Sequence, residues 1–288
     1  MKKQKYILKN KKDFNSVHIF ECGQCFRWNK TEKGSYIGVI KNAVVEITET
    51  ETEVIFEGIS RGDLEKIVCE YFNLKVDYTS LKDKLMLIDE HMMQSIEYGN
   101  GIRILKQEIF ETIISYIISA NNNIPRIKKI IENICKKYGN KVVYNEIEYY
   151  TFPTPEQLGN ATVEELRSLG AGFRDKRIYD TTKKILNNEF DIEKIVELQD
   201  SKMLKEELEK LDGVGPKVAD CIMLFGFNRY DIFPIDVWVR RVMNDLYIKN
   251  IDEKKVSKKE IELLANKKYG EIAGIAQQYL FYWKRDSK

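Results

Sequence analysis

A lysine beside a glycine- and proline-rich turn is the best candidate nucleophile in this sequence. Lys217 lies in the segment Leu211–Cys221, which reads LDGVGPKVADC. A charged, periodic stretch, Met203–Lys210, precedes this segment, and the apolar stretch Ile222–Phe227 follows it. This pattern predicts a helix, a tight hairpin and a second helix. Because the positive end of the second helix disfavours an ammonium, we expect the pKa of Lys217 to fall below its ordinary value of about 10.4, which favours a nucleophilic neutral amine.

The hairpin has the composition of a phosphate-binding turn. Gly213 and Gly215 permit positive φ angles and close approach of the backbone, and Pro216 suits the first position of a helix. The free N–H groups at the start of that helix can then face a phosphate. We therefore assign Gly213, Val214 and Gly215 to the binding of a nucleic-acid backbone, without reading of its sequence.

A carboxylate follows about twenty residues later, at the start of another predicted helix. Asp236 lies in the segment Phe233–Arg241, which reads FPIDVWVRR. Taken alone, Asp236 is most simply a helix N-cap, and Lys217 is most simply a solvated surface lysine. Taken together, a lysine and an aspartate at two helix starts could converge on one sugar.

The GVGPK hairpin and the later P-x-D spacing closely resemble the helix-hairpin-helix DNA glycosylase superfamily. Members that have the aspartate but no lysine use water as nucleophile, whereas a lysine in the hairpin implies a covalent imine and strand cleavage. The resemblance therefore implies that Lys217 attacks C1′, and that Asp236 stabilises positive charge on the sugar and orients or deprotonates the lysine. The endonuclease III and adenine glycosylase branches carry four C-terminal cysteines for an iron–sulfur cluster, but no cysteine follows Cys221 here.

The segment Cys22–Trp28, CGQCFRW, resembles the S-G-Q-x-F-R-W stretch of the 8-oxoguanine DNA glycosylase family. In that family the glycine carbonyl accepts the N7–H that oxidation adds to guanine, which implies that Gly23 is the lesion sensor. One backbone carbonyl can make this distinction, because oxidation replaces an acceptor at N7 by a donor. Without its flanking residues, Gly23 is most simply a glycine in a turn ahead of a strand.

Near the other end of the chain, Gly274–Phe281 reads GIAQQYLF and is similar to the G-x-A-Q-x-x-L-F helix of the same family. The match implies that Gln277 hydrogen-bonds the edge of the flipped base, while Phe281 and Cys221 hold its two faces. Gln277 and Phe281 are four residues apart, so both can lie on one helical face. Taken alone, Phe281 is most simply a core residue.

Two further segments resemble the parts of the family that handle the opposite base. Ser119–Arg126 reads SANNNIPR and is similar to S-x-N-N-N-I-x-R, and Gly170–Arg174 reads GAGFR and resembles a loop that wedges an aromatic ring into the stack. The best-known members have tyrosine where this chain has Phe173, but wedging needs only the ring. The resemblance implies a preference for cytosine opposite the lesion, contacted by Asn121, Arg126 and Arg174.

Trp238 departs from the family pattern. It lies two residues after the aspartate, where vertebrate members have histidine near the 5′ phosphate of the lesion. An indole N–H can still donate one hydrogen bond, so Trp238 is assigned to DNA-backbone binding.

These motifs predict a bifunctional glycosylase/lyase that excises 8-oxoguanine opposite cytosine from duplex DNA by base flipping. Two alternatives remain. An alkylated-base glycosylase of the same superfamily is disfavoured by Gly23, Gln277 and Lys217, and a non-catalytic hairpin protein that only binds DNA is disfavoured by Lys217 and Asp236. We expect duplex DNA containing 8-oxoguanine as the partner, a monomer, and no required metal or organic cofactor.

The elements that must position these residues change type along the chain. Four β-like stretches lie between Phe14 and about Gly58: Gln24–Trp28, Ser35–Ile40, Ala43–Thr48 and Glu53–Phe56. After Arg61 the pattern is that of amphipathic helices almost to the end. This order predicts an α+β fold, with a small antiparallel sheet domain and flanking helices in residues 1–105 packed on a larger helical region, 106–288, which contains the hairpin and can also draw on helices within 61–105.

Composition adds few constraints. The 288 residues include 47 Lys and Arg against 45 Asp and Glu, so affinity for nucleic acid must come from local patches rather than net charge. The first twelve residues contain six lysines and are interpreted as a basic arm, without the apolar stretch of a secretory signal. The five cysteines are expected to be reduced, and Cys22 and Cys25 to pack locally rather than bind metal. We expect a cytoplasmic, prokaryotic protein that associates with the nucleoid through DNA.

Overall fold

The computed structural model describes residues 1–252 and 255–286, in which a five-stranded antiparallel sheet lies beside a larger set of helices. The strands of this sheet are β1 (Lys2–Leu8), β2 (Trp28–Lys30), β3 (Tyr36–Ile40), β4 (Ala43–Glu49) and β5 (Val54–Ser60). Their order is β1-β5-β4-β3-β2, so β2 to β5 form the predicted meander and β1 pairs with β5. The predicted α+β fold is confirmed.

Most of the helices follow the sheet. Their bounds are α1 (Ser16–Glu21), α2 (Leu64–Tyr71), α3 (Tyr78–Met86), α4 (Glu90–Tyr98), α5 (Ile109–Ser119), α6 (Ile124–Tyr138), α7 (Pro155–Leu158), α8 (Val163–Leu166), α9 (Asp175–Leu186), α10 (Ile192–Val196), α11 (Ser201–Leu208), α12 (Pro216–Gly226), α13 (Val237–Met243), α14 (Lys258–Tyr269) and α15 (Ala273–Asp286). Within the described ranges, none of these helices is long and apolar enough to cross a membrane.

The interpretation of the lysine-rich N-terminus as a basic arm was wrong, because it forms the edge strand β1. Tyr6 and Leu8 pack against the core of the sheet, while Lys3 and Lys5 pair with Ile59 and Glu57 across the ladder. Lysines on an edge strand discourage pairing with other chains. The charge of this segment therefore reflects its place in the sheet.

The segment before β2 also differs from prediction. Gln24–Trp28 was predicted as a strand, but regular pairing begins only at Trp28. The Gln24 side chain is fully buried and bonds to backbone groups elsewhere in the chain, among them the carbonyl of Arg103 at 2.8 Å. Such bonds hold this segment as a loop, and the loop carries Gly23.

A second hairpin, β6 (Lys141–Tyr144) and β7 (Ile147–Tyr150), interrupts the stretch that was predicted to be helical. Its turn residues Asn145 and Glu146 both have positive φ, 48° and 65°, as the two central residues of a type I′ turn do. Val142 and Tyr144 pack with valines of β3 and β4. The hairpin thus covers the outer face of the sheet.

The helical core is built around α5 and α12, which pack directly on each other. Eight residues of α5 are buried, so apolar neighbours surround it on nearly every side. Helices α3 and α4 also belong to this core through Leu85, Met92 and Ile96, whereas Leu64 of α2 belongs to the sheet core. The two cores therefore interleave along the sequence, and a division at residue 105 stays a prediction.

Candidate active site

Residues from distant parts of the chain line a cavity of about 80 Å³. Both predicted catalytic residues and all four predicted base-binding residues are among them. The lining residues are Cys22, Gly23, Tyr116, Lys217, Cys221, Phe225, Pro234, Asp236, Val239, Gln277, Gln278 and Phe281. A cavity of this size holds only a few water molecules. The predicted catalytic and base-binding residues therefore meet at one small cavity.

Lys217 lies in the first turn of α12, which begins at Pro216 after an extended Gly215. Its ammonium is 5.8 Å from the centre of the Tyr116 ring and interacts electrostatically with Cys221, one turn further along α12. The side chain is half-buried. Helix α12 thus places the candidate nucleophile inside the cavity rather than on the surface.

The expectation of a lowered lysine pKa was wrong. The negative charge of a Cys221 thiolate and that of Asp236 raise the pKa of Lys217 above its ordinary value, against the opposing effect of burial. Burial in turn raises the pKa of the Cys221 thiol. Near neutral pH the pair is therefore an ammonium beside a neutral thiol, with the charge of Asp236 favouring the ammonium.

Asp236 is the N-cap of α13 and also faces the cavity. Its Oδ1 accepts a hydrogen bond of 2.8 Å from the backbone N–H of Val239. The cap fixes the carboxylate in orientation and places it within electrostatic range of Lys217. One side chain thus caps α13 and faces the cavity.

Gln277 and Phe281 lie on one face of α15, as their spacing predicts. Gln277 is only 6% exposed, and its Oε1 has no hydrogen-bond partner among the described residues. An unsatisfied buried oxygen costs about 1–3 kcal/mol. The cavity therefore offers a fixed acceptor to a ligand that carries N–H groups.

Gly23 adopts a φ of +86°, which favours glycine, and lies against Phe281. The loop around Gly23 and the C-terminal helix α15 thus meet at the cavity. This contact joins the two motifs that lie furthest apart in the sequence.

The four residues assigned to the wedge and the opposite base form a second cluster. Phe173 is 55% exposed on an irregular loop that contains Gly170 and Gly172, both with positive φ. The Arg174 guanidinium lies 4.2 Å from the centre of the Phe173 ring. A Cβ built on Gly172 would be 3.7 Å from Nη2 of the exposed Arg126.

Arg174 itself points inward. It is 1% exposed, and its guanidinium donates to the carbonyls of Ala120 at 2.9 Å, Asn121 at 2.8 Å and Ala171 at 3.3 Å. Arg174 therefore links the segment that carries Asn121 to the loop that carries Phe173. Its predicted contact with cytosine stays a prediction, and the exposed Arg126 is freer to make one.

The hairpin has one anchored side and one open side. Val214 is buried in the helical core, and Gly213 has a φ of +86°. Gly215 is extended rather than positive in φ, and a Cβ built on it would meet no atom within 4 Å. The open side thus leaves room for a backbone to approach. Trp238 is half-buried, and its ring centre lies 5.8 Å from the Arg241 guanidinium.

Several lining residues were not predicted from the sequence. Phe225 follows Lys217 and Cys221 at a further interval of four residues, so helical spacing could have identified it. Tyr116 stacks on Phe225, with ring centres 5.6 Å apart, but reaches the cavity from α5. No local pattern marks Tyr116 or Gln278, because tertiary packing places them there.

Cys22 and Cys25 are buried free thiols, and burial raises both of their pKa values. Cys22 lines the cavity, whereas Cys25 packs in the sheet core. In the part of the chain that the structure describes, no group of three or more His, Cys, Asp or Glu side chains could hold a metal ion.

Three features of this site define a class of base excision proteins. They are a helix-hairpin-helix that carries a lysine, an aspartate at the start of the next helix, and a cavity between them. Residues 114–267 match the HhH-GPD superfamily of base excision DNA repair proteins, and residues 6–113 match the N-terminal domain of 8-oxoguanine DNA glycosylase. The chain belongs to the 8-oxoguanine DNA glycosylase family.

Similar proteins cover nearly the whole chain. An N-glycosylase/DNA lyase of Saccharomyces cerevisiae is 32% identical over 94% of this chain and 84% of its own length. The apo 8-oxoguanine glycosylase/lyase of Clostridium acetobutylicum is 43% identical, with a TM-score of 0.91 over 98% of this chain and 97% of that one. The same enzyme in complex with double-stranded DNA containing cytosine opposite 8-oxoguanine is 41% identical, with a TM-score of 0.92 over 99% and 98%.

Proposed function

We propose that this protein removes 8-oxoguanine opposite cytosine from duplex DNA and then cleaves the strand through an imine on Lys217. One observation carries the proposal: the candidate nucleophile and its carboxylate line the same cavity as the four residues assigned to the base. The related glycosylase/lyases support the same activity.

The reaction begins when Lys217 loses its proton, for which Asp236 is the nearby acceptor. The neutral amine attacks C1′ of the flipped nucleotide, the C1′–N9 bond breaks, and the base leaves with the bonding electrons and takes up a proton. Asp236 stabilises the positive charge that develops on the sugar. The aminal nitrogen loses a proton as the C1′–O4′ bond opens, which gives the imine and a free O4′ hydroxyl.

Strand cleavage follows from the imine. Loss of a C2′ proton places electrons in conjugation with the imine, and the C3′–O bond breaks to expel the 3′ phosphate. Water then hydrolyses the conjugated imine and restores the lysine amine. These steps use a lysine, a carboxylate and water, so we propose that no metal or organic cofactor is required.

Recognition of the lesion depends on one atom. The N7–H of 8-oxoguanine can donate to the Gly23 carbonyl, whereas the N7 lone pair of guanine is repelled by it. The unsatisfied Oε1 of Gln277 accepts from the N–H groups on the edge of the base. Phe281 and Cys221 lie where they can contact the two faces of the ring.

Cytosine preference rests on the cluster around the wedge loop. We propose that the exposed Phe173 fills the space left by the flipped base and that Asn121 and Arg126 contact the orphaned cytosine, with Arg174 holding their segment in place. The hairpin would bind phosphate through Gly213, Val214 and Gly215, and Trp238 through its indole N–H. We further propose a monomer that acts on the nucleoid in a prokaryotic cytoplasm.

Single-turnover excision tests this proposal. Duplexes with 8-oxoguanine opposite each of the four bases, with 3-methyladenine, or with unmodified guanine are incubated with excess protein, with and without EDTA. We expect fastest release of 8-oxoguanine opposite cytosine, strand cleavage without added alkali, and no effect of EDTA. Preferential release of 3-methyladenine, or binding of every duplex without base release, would overturn the proposal.

A further inference from the structure

We propose that Gln278 is a positioning residue for lesion recognition, which holds the loop so that the Gly23 carbonyl alone remains available to the base. This inference rests on the proposed function, in which that carbonyl reads N7. It concerns a residue beside, rather than among, those that the sequence motifs assign to the base.

Gln278 bonds to the loop just before the sensor. It is 2% exposed, and its Nε2 donates a hydrogen bond of 2.6 Å to the carbonyl of Cys22. The bond joins α15 to a residue 256 positions earlier in the chain. A buried amide with such a partner fixes the Cys22–Gly23 peptide plane from the Cys22 side.

The carbonyl just after the sensor is held in the same way. The Gln24 carbonyl accepts from Nε2 of Gln107 at 2.8 Å and from the hydroxyl of Tyr116 at 3.2 Å. Both donors are buried and come from the helical side of the molecule. The Gln24 side chain is itself bonded to three backbone groups, Ile19 O at 3.0 Å, Arg103 O at 2.8 Å and Leu105 N at 2.9 Å.

The Gly23 carbonyl, which lies between these two, has a different environment. Among the described residues no donor reaches the Gly23 carbonyl, although those of Cys22 and Gln24 are both engaged. Because peptide units are planar, fixing both neighbours leaves little rotation at Gly23. Gly23 itself has a φ of +86°, in the region that favours glycine. Within this tripeptide, the Gly23 carbonyl is thus the acceptor left for a ligand.

The arrangement gives two adjacent glutamines on α15 separate tasks. Gln277 presents an unsatisfied oxygen to the cavity, and Gln278 holds the loop on its opposite wall. Discrimination by a single hydrogen bond depends on a fixed acceptor, since the bond weakens steeply when its angle or length changes. A loop released from Gln278 could turn its carbonyl away from the N7 lone pair of guanine, and selectivity would fall.

The test measures discrimination separately from chemistry. In a Lys217→Gln background, binding is compared between duplexes that differ only in 8-oxoguanine or guanine opposite cytosine. We expect Gln278→Leu to reduce the ratio of the two dissociation constants about tenfold, the loss expected for one buried hydrogen bond, with affinity for the guanine duplex within twofold. With Lys217 intact, Gln278→Leu should still cleave a preformed abasic site at near the parental rate.

A matched control lies next along the helix. The Tyr279 hydroxyl is buried and donates to the Ile102 carbonyl at 3.2 Å, not to a carbonyl of the Cys22–Gln24 tripeptide. Tyr279→Phe therefore removes a comparable buried hydrogen bond but should retain the parental ratio. A ratio in Gln278→Leu within twofold of the parent, or an equal loss in Tyr279→Phe, would overturn the positioning role.

Gln278→Glu tests the proposal if the leucine variant does not fold. The protonated carboxyl can donate to the Cys22 carbonyl, whereas the ionised form repels it, so we expect the ratio to recover as pH falls, unlike in the parent. If the ratio of the two dissociation constants in Gln278→Glu has the same pH dependence as in the parent, the positioning role is overturned. If the Lys217→Gln parent shows no preference for 8-oxoguanine, the proposed function itself fails.

Discussion

Phe281 packs directly against Gly23: a Cβ added to the glycine would lie 3.6 Å from Cε1 of the phenylalanine. The contact brings the loop that carries Gly23 and the C-terminal helix together at the cavity. The ring of Phe281 lines this cavity, which has a volume of about 80 Å³. Gly23 and Phe281 therefore lie on the same part of the cavity wall.

Gly23→Ala is expected to impair recognition more than strand chemistry. An alanine at a φ of +86° costs about 1–2 kcal/mol of folding free energy, and its methyl group would contact the ring of Phe281. We expect urea denaturation to show that loss, and excision of 8-oxoguanine to fall further than cleavage of a preformed abasic site. Equal losses in the two reactions would contradict the assignment of Gly23 to the base.

Phe173→Ala is expected to weaken base removal without weakening the fold, because the ring is exposed. Stacking of an aromatic ring on a base contributes about 1–3 kcal/mol, so excision should fall roughly tenfold or more. Phe173→Tyr should retain near-parental excision, and thermal denaturation should give the same midpoint for all three proteins. Full activity in the alanine variant would exclude Phe173 as the wedge.

Substitutions of the two arginines near Phe173, Arg174 and Arg126, should have different effects. Arg174→Ala leaves carbonyls that accept from a buried guanidinium without their partner, and we expect a loss of roughly 3 kcal/mol in the free energy of unfolding. Arg126→Ala removes an exposed side chain and should lower the preference for cytosine over adenine opposite the lesion at unchanged stability. Chemical denaturation and excision on the two duplexes measure both effects. An unstable Arg126→Ala or a fully stable Arg174→Ala would contradict this division.

Cys221→Ala should shift the pH dependence of imine formation. Cys221 is the largest cause of the raised pKa of Lys217, so its removal lowers that pKa and increases the neutral amine fraction in the alkaline range where the thiol is ionised. Imine formation on an abasic duplex should rise with pH in both proteins, with the rising limb at lower pH in the variant. Cys135→Ala, at a buried thiol on α6, should leave the limb in place. If the pH profile of imine formation in Cys221→Ala coincides with the parental profile, the coupling between Cys221 and Lys217 is contradicted.

The sequence predicted the site better than the elements that support it. The motifs around Lys217, Asp236, Gly23 and Gln277 converge on one cavity, because each motif fixes its own local backbone through glycine, proline or a cap. The lysine pKa was predicted in the wrong direction. Cys221 lies one turn along the same helix and follows from the sequence spacing, but its burial and the approach of Asp236 depend on packing.

The missed strands have physical explanations. In β1, the half-buried Gln4, Tyr6 and Leu8 alternate with exposed residues. This two-residue period is hard to recognise in the sequence because the segment is rich in lysine. In the β6–β7 hairpin the turn is Asn145-Glu146, which lacks the glycine that usually marks a type I′ turn. Both segments are edge or surface strands, where charge and hydrophobic pattern give the weakest signal.

Borohydride trapping tests the central claim most directly. The protein is incubated with a duplex that carries one 8-oxoguanine opposite cytosine, and borohydride reduces any imine to a stable amine. We predict a covalent protein–DNA band for the parental protein and none for Lys217→Gln, which should still bind the duplex. Tight binding without a band in the parent, or a band that persists in Lys217→Gln, would contradict the assignment of Lys217 as the nucleophile.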